Sequence, residues 1–334
     1  MKLFKLLFFI FFLVIQSCNS QKTKKINGVS FVASSNAINN KNTQPVKDIN
    51  ANYAALMPFG FLKNVDSPTI IYNTNNHWYG ETINGVKQYT EALRKKGIKI
   101  MIKPQIWVWQ GQYTGLINMN SETNWKLLES AYTKFILDYA ALAEATNAEI
   151  FCIGTELKNF IEKRPQFWIS LIDKIKQKYT GKLTYAANWD EFISTPFWSK
   201  LDYIGIDAYF PLSDVKTATV QQCITGWEPH KKTIESLHNT YKKPILFTEF
   251  GYRSVNFTTK EPWNSNQVTN SINMEAQTNA TKALFKVFWK ENWFAGGFVW
   301  KWFTNHENAG GQQDNRFTPQ NKPSQDIIKK QYNL

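Results

Sequence analysis

The chain has 334 residues, 43% of them hydrophobic, and a formal net charge of +13 at pH 7. Three cysteines are too few for a disulfide framework, and no Pro/Gly/Ser-rich linker, repeat or low-complexity tract divides the chain, which leaves one large barrel or two ordinary domains. The charge does not point to nucleic acid: the cations are nearly all lysine, spread along helix-like segments such as KKGIK and KIKQK, as a solvated surface would carry them. Thirteen tryptophans and fourteen tyrosines are more telling, because flat aromatic faces stack on the C–H faces of sugar rings when they are not simply core.

Residues 1–5 carry two lysines, and residues 6–15 (LLFFIFFLVI) are an uninterrupted apolar run. The run is too short to span a bilayer as an ordinary helix and reads as the apolar region of a signal peptide. Gln16-Ser17-Cys18 follows, then the polar stretch NSQKTKK. This junction resembles the bacterial lipoprotein lipobox. The resemblance implies a signal peptide over 1–17, a lipid on Cys18, a flexible tether over 18–27 and a folded domain over 28–334. It places the chain in the bacterial cell envelope, held to a membrane by its lipid. The alternative is an ordinary secretory signal with a chance cysteine. Of the other two cysteines, Cys152 sits in an apolar run and reads as a small buried hydrophobe, and nothing suggests that it pairs with Cys223.

Strand-like runs then follow at 28–33, 52–61, 98–109, 149–156, 183–190, 201–210, 244–251 and 296–303. Amphipathic helical patterns lie at 86–97, 124–145, 165–179 and 273–292, the first stopping at Gly97, where a helix-ending glycine is expected. Eight strands alternating with helices favour an α/β fold, a single (β/α)8 TIM barrel, over an open doubly wound sheet. No GxGxxG follows the first strand, so a dinucleotide-binding fold has no support.

The runs FCIGTEL (151–157) and ILFTEFG (245–251) each end in one glutamate, Glu156 and Glu249. A strand buried on both faces offers no solvent side for a charge, so a carboxylate at its tip points to a site at the sheet's end. In a barrel the site lies at the C-terminal ends of the strands. The fourth and seventh strands stand on roughly opposite sides of the mouth, so their two glutamates converge across it. Cleaving a glycosidic bond needs such a pair: one group to protonate the leaving oxygen and one negative charge beneath the developing oxocarbenium ion.

A glutamate ending strand four and another in a T-E-F-G run ending strand seven resemble the retaining glycoside hydrolases of clan A. Within that clan, G-T-E-L, the run DYIGIDAYFPL at 202–212 and the strand-eight W-K-W look most like the family 113 endo-β-1,4-mannanases. By that resemblance Glu156 is the general acid/base and Glu249 the nucleophile, and the substrate is a β-1,4-linked polysaccharide, mannan or glucomannan. Many clan members carry asparagine immediately before the strand-four acid, in contact with the sugar 2-hydroxyl; this chain has Thr155, so another residue makes that contact or it is absent.

Alternation on strand six puts Gly205, Asp207 and Tyr209 on one face. The resemblance implies that Tyr209 reaches Glu249; Asp207 reads as part of a buried polar network or of the site. On strand eight Phe298, Trp300 and Trp302 share a face; the resemblance implies that a tryptophan there floors the sugar site, and Trp300 is expected to be it, with Trp302 one layer nearer the loop. Gln105, Trp107 and Trp109 alternate on strand three, with Trp107 a candidate stacking platform. Asn188 at the tip of strand five suits sugar hydroxyls as well as loop anchoring. The chain shows no metal motif, no P-loop and no G-x-S-x-G elbow, so no metal or other cofactor is expected, and a monomer is. Besides a clan A hydrolase acting on another β-glycan, a non-catalytic carbohydrate-binding lipoprotein on the same barrel and an esterase are the alternatives. The binding lipoprotein does not need both glutamates, and the esterase lacks an evident serine–histidine pair.

Overall fold

The computed structural model describes residues 24–264 and 271–334. Its strands are β1 (Ile26–Phe31), β2 (Tyr53–Leu56), β3 (Phe59–Leu62), β4 (Lys99–Ile102), β5 (Gln105–Val108), β6 (Ile150–Thr155), β7 (Lys182–Asn188), β8 (Ile204–Asp207), β9 (Ile245–Phe250) and β10 (Phe294–Trp302). Its helices are α1 (Asn40–Asp48), α2 (Ile83–Arg94), α3 (Glu122–Ala145), α4 (Lys158–Lys163), α5 (Pro165–Lys176), α6 (Val220–Tyr241), α7 (Met274–Phe288) and α8 (Pro323–Tyr332). Eight strands close a barrel in the order β1-β10-β9-β8-β7-β6-β4-β2, every pairing parallel. This is the (β/α)8 architecture. β1 begins at Ile26, two residues inside the stretch expected to be tether.

Two expected strands are each split by a proline. The second breaks at Met57-Pro58 and the third at Lys103-Pro104, since proline cannot donate to a ladder. The breaks match across the pair: Leu56 faces Ile102 below them and Phe59 faces Gln105 above, so β3 and β5 form a two-stranded extension over the barrel rim. Helix α2 ends as expected, with Gly97 in the left-handed region at φ 72°. α1, α4, α6 and α8 were not among the expected helices.

The core has two layers. Inside the barrel, Ile26, Met101, Ile150, Cys152, Leu246 and Phe298 pack together. Between barrel and helices lies a far larger shell, in which Trp168, Trp198 and Trp227 are fully enclosed. Many of the chain's aromatics are therefore structural. Cys152 and Cys223 are both buried free thiols. No helix among the described residues is long and apolar enough to cross a membrane.

Candidate active site

Both glutamates stand where a strand carries an extra residue. Along β6 and β7 the register passes from Cys152↔Thr184 to Thr155↔Ala186, so β6 uses one residue more than its neighbour just before Glu156. Along β8 and β9 it passes from Ile206↔Phe247 to Asp207↔Glu249, which makes Thr248 the extra residue. Such bulges re-aim the side chains that follow them. Glu156 is turned further by a left-handed backbone at φ 52°, sparsely populated outside glycine. Three bonds hold it there. Its amide donates to Ala186 O at 2.9 Å, the Thr114 hydroxyl donates to its carbonyl at 3.2 Å, and the next amide, Leu157 N, donates to the Tyr185 hydroxyl at 2.6 Å.

Glu249 is buried and surrounded by donors. Lys103 Nζ and Gln105 Nε2 both donate to Oε1, the latter at 3.1 Å, and the Tyr209 hydroxyl donates to Oε2 at 2.7 Å. Lys103, wholly enclosed, also lies 3.5 Å from Asp207 Oδ2, and Thr248 Oγ1 donates to Asp207 Oδ1 at 2.7 Å. Burial alone would lower the lysine, but Asp207 and Glu249 outweigh it and hold the ammonium above its ordinary range. Asp207 itself is pushed up to about 7, by desolvation first and then by Glu249, with Lys103 and the Thr248 hydroxyl pulling the other way.

Glu156 meets a different environment. No side-chain hydrogen bond reaches the carboxyl of this half-buried residue among the described residues, and desolvation lifts it well above the usual carboxylate range, aided by Asp207, Glu249 and Glu191 when they are ionised. Glu191 is a buried carboxyl that accepts the Tyr185 hydroxyl at 2.6 Å; burial pushes it up to about 8. Glu191 and Tyr185 thus brace the backbone next to Glu156.

The barrel therefore brings Glu156, Glu249 and Tyr209 to one mouth. Trp300 joins them: Lys103 Nζ lies 6.0 Å from its ring centroid, and its carbonyl approaches so near that a Cβ on Gly251 would lie 2.6 Å from it. Trp107 is half exposed, two residues beyond Gln105 on the same face of the rim extension, and meets Phe59 edge-on at 6.1 Å. Asn188 is buried and donates to the Tyr113 hydroxyl at 3.0 Å, which ties the loop after β5 to the tip of β7.

Trp302 is a correction. It does not share a face with Phe298: the register passes from Val29↔Val299 to Phe31↔Trp302, so β10 carries an extra residue and the alternation shifts. Phe298 fills the barrel interior, while Trp302 is fully buried in the outer core, its ring stacked on His306 at 5.3 Å, with no face left for a sugar. Thr155 Oγ1 is enclosed and finds no hydrogen-bond partner, so it does not stand in for the asparagine of the clan. Cys18 lies outside the described residues.

Sequence reasoning missed Lys103 and Glu191. Lys103 had a signal, since it is a charge inside the apolar run IKIMIKPQIWVW, the same anomaly that marked the glutamates. Glu191 sits in a polar stretch, NWDEF, and had none. No cluster of histidine, cysteine and carboxylate suited to a metal occurs among the described residues.

A closed (β/α)8 barrel whose mouth holds two carboxyls in opposed environments has the architecture of a glycoside hydrolase. The family description for glycoside hydrolase family 113 matches residues 33–322, and the chain belongs to that family. No curated protein sequence matches it significantly. Among solved structures, the family 113 β-mannanase of Alicyclobacillus acidocaldarius is similar at 22% identity and a TM-score of 0.81, over 92% of this chain and 97% of that one. A second family 113 β-1,4-mannanase matches at 20% identity and a TM-score of 0.80, over 93% of this chain and 99% of that one. The barrel also resembles part of a β-glucuronidase of Ruminococcus gnavus, with a TM-score of 0.59 and 12% identity over 88% of this chain and 46% of that one.

Proposed function

We propose that this glycoside hydrolase cleaves β-1,4-linked mannan or glucomannan with retention of configuration, Glu249 serving as nucleophile and Glu156 as acid/base. The observation that carries the reading is the asymmetry of the pair: among the described residues three donors converge on one carboxyl and none on the other. Lys103, Gln105 and Tyr209 occupy three of the roughly four lone-pair directions of Glu249 and leave one for the anomeric carbon. Glu156, raised by burial and by its acidic neighbours, holds the proton that the leaving oxygen takes. In the first step the Glu249 oxygen bonds the anomeric carbon as the glycosidic bond breaks. In the second, Glu156 takes a proton from water, and the resulting hydroxide displaces Glu249. Trp300 floors the sugar site and Trp107 offers a second aromatic face, and Asn188 at the tip of β7 is a further candidate contact.

The choice of mannan rests on the two family 113 mannanases whose fold this chain shares. A reducing-sugar assay on mannan, glucomannan, cellulose and a glucuronide tests it, with NMR of the first-formed anomer. Release from mannan or glucomannan with the β-anomer formed first is expected. Activity confined to the glucuronide, or first formation of the α-anomer, would refute it. We further infer that the protein is secreted, anchored by a lipid on Cys18 in the cell envelope, and works as a monomer, since one chain supplies every part of the site described. Acyl groups on Cys18 in the intact mass of the membrane-fraction protein test the anchor.

A further inference from the structure

Helices of a (β/α)8 barrel run antiparallel to the strands, so their C-terminal ends return to the base, opposite the mouth. That base gathers cations that the sequence scatters. Lys95 and Lys99 flank the turn after α2, Lys176 and Lys178 close α5, Lys242 follows α6, and Lys330 lies in the last turn of α8. All six are exposed, and none has an ion-pair partner among the described residues. Four carboxylates of this face are already engaged, Glu149 by Arg94, Asp202 by Lys182, Asp173 by Lys200 and Glu291 by Lys231, at 3.0, 2.9, 2.9 and 2.5 Å, while Glu91 near the end of α2 and Glu235 on α6 have no ion-pair partner among the described residues and offset part of the positive charge. Glu144 and Asp48 are held by Thr180 and Gln44. At the mouth the signs are mixed, with Lys41 on Glu307, Lys158 on Asp190 and Arg164 on Glu122.

Favourable placement at a helix C-terminus accounts for a lysine in a last turn. It does not account for Lys99 and Lys178, which lie beyond the helices. A second observation concerns the same face. β1 starts at the base, and Lys25 Nζ donates there to the carbonyls of Glu291 and Phe294, which puts the first described residues on that side. Cys18 lies seven residues before Lys25, a reach of roughly 25 Å at most.

We propose that the lysine-bearing base lies against an anionic phospholipid surface, so that the cleft opens away from the bilayer toward the polysaccharide. The orientation rests on the lipid anchor inferred above; the affinity of the base for anionic lipid does not. Each lysine near such a surface strengthens binding roughly fivefold, and salt weakens it.

The test uses residues 19–334, which hold the whole closed barrel and lack the signal and Cys18. Co-sedimentation is measured with vesicles of phosphatidylcholine alone and of phosphatidylcholine mixed with phosphatidylglycerol, at low and high salt. Binding only to the anionic vesicles, weakened by salt, is expected. Lys95→Gln/Lys178→Gln/Lys242→Gln is expected to lose it by about 100-fold while hydrolysing soluble substrate normally. The mouth variant Lys63→Gln/Lys216→Gln/Lys260→Gln should lose little. Absence of binding, equal binding to neutral vesicles, or an equal loss in the mouth variant would overturn the proposal. The acyl mass at Cys18 tests the anchor separately.

Discussion

Glu249 and Glu156 occupy the same mouth, yet their surroundings are opposites. Glu249 follows a bulge in β9 and is gripped by an ammonium, an amide and a phenol. Glu156 follows a bulge in β6, sits on left-handed backbone, and has its main chain rather than its carboxyl held. One carboxyl is provided with donors; the other has none among the described residues, and burial favours its protonated acid. Chemically identical side chains thus meet different surroundings, as the proposed division of labour requires.

The comparison breaks most completely if neither carboxyl matters. Glu249→Gln is expected to lower kcat by about 10⁴-fold. Glu156→Gln should lower it by about 10²- to 10⁴-fold, and least on substrates whose leaving group needs no proton. Wild-type rates in either variant would refute the assignment.

Removing the cation tests the Glu249 side alone. Lys103→Met leaves Glu249 and Asp207 enclosed without their counter-charge, so unfolding free energy should fall by about 3–5 kcal/mol and activity with it. Denaturant titration together with kcat measures both. Lys103→Met/Asp207→Asn should recover part of the stability. Tyr209→Phe removes one charge-assisted bond and should reduce kcat/KM by about 10- to 100-fold without loss of fold.

The Glu156 side is sharpened by pH. A raised acid works while protonated, so activity should fall as pH rises through its pKa. Glu191→Gln removes a neighbour that becomes negative only as pH rises toward about 8, and should move the part of this basic limb of the kcat/KM profile that lies above that pH to lower values. Stability carries a second signature. Glu191 binds its proton more tightly folded than unfolded, so its contribution is full below about 4.5 and is lost as pH rises toward about 8. The slope reaches at most about 1.4 kcal/mol per pH unit for one group. Melting temperature against pH should fall across this window, and Glu191→Gln should flatten it.

The smallest effect concerns the aromatics. Trp107→Ala should raise KM about 3- to 10-fold through loss of a stacking face, whereas Trp302→Phe should leave KM unchanged because that ring is buried. An equal rise in both would place Trp302 in the cleft after all.

The sequence by itself determined the alternation of strand and helix, hence the barrel, and it marked both strand-tip glutamates because a charge ending a doubly buried strand has no solvent face to occupy. Lys103 was legible by the same rule. What only the tertiary structure decided depends on register. Extra residues in β6, β9 and β10 shift the period-two alternation, which re-aims the two glutamates and sends Trp302 to the outer core. Closure of the barrel also joins groups far apart in the chain: it sets Lys103 on Glu249 and brings scattered lysines to one face. Local periodicity carries no record of either, because both arise from pairing between strands rather than from any one of them.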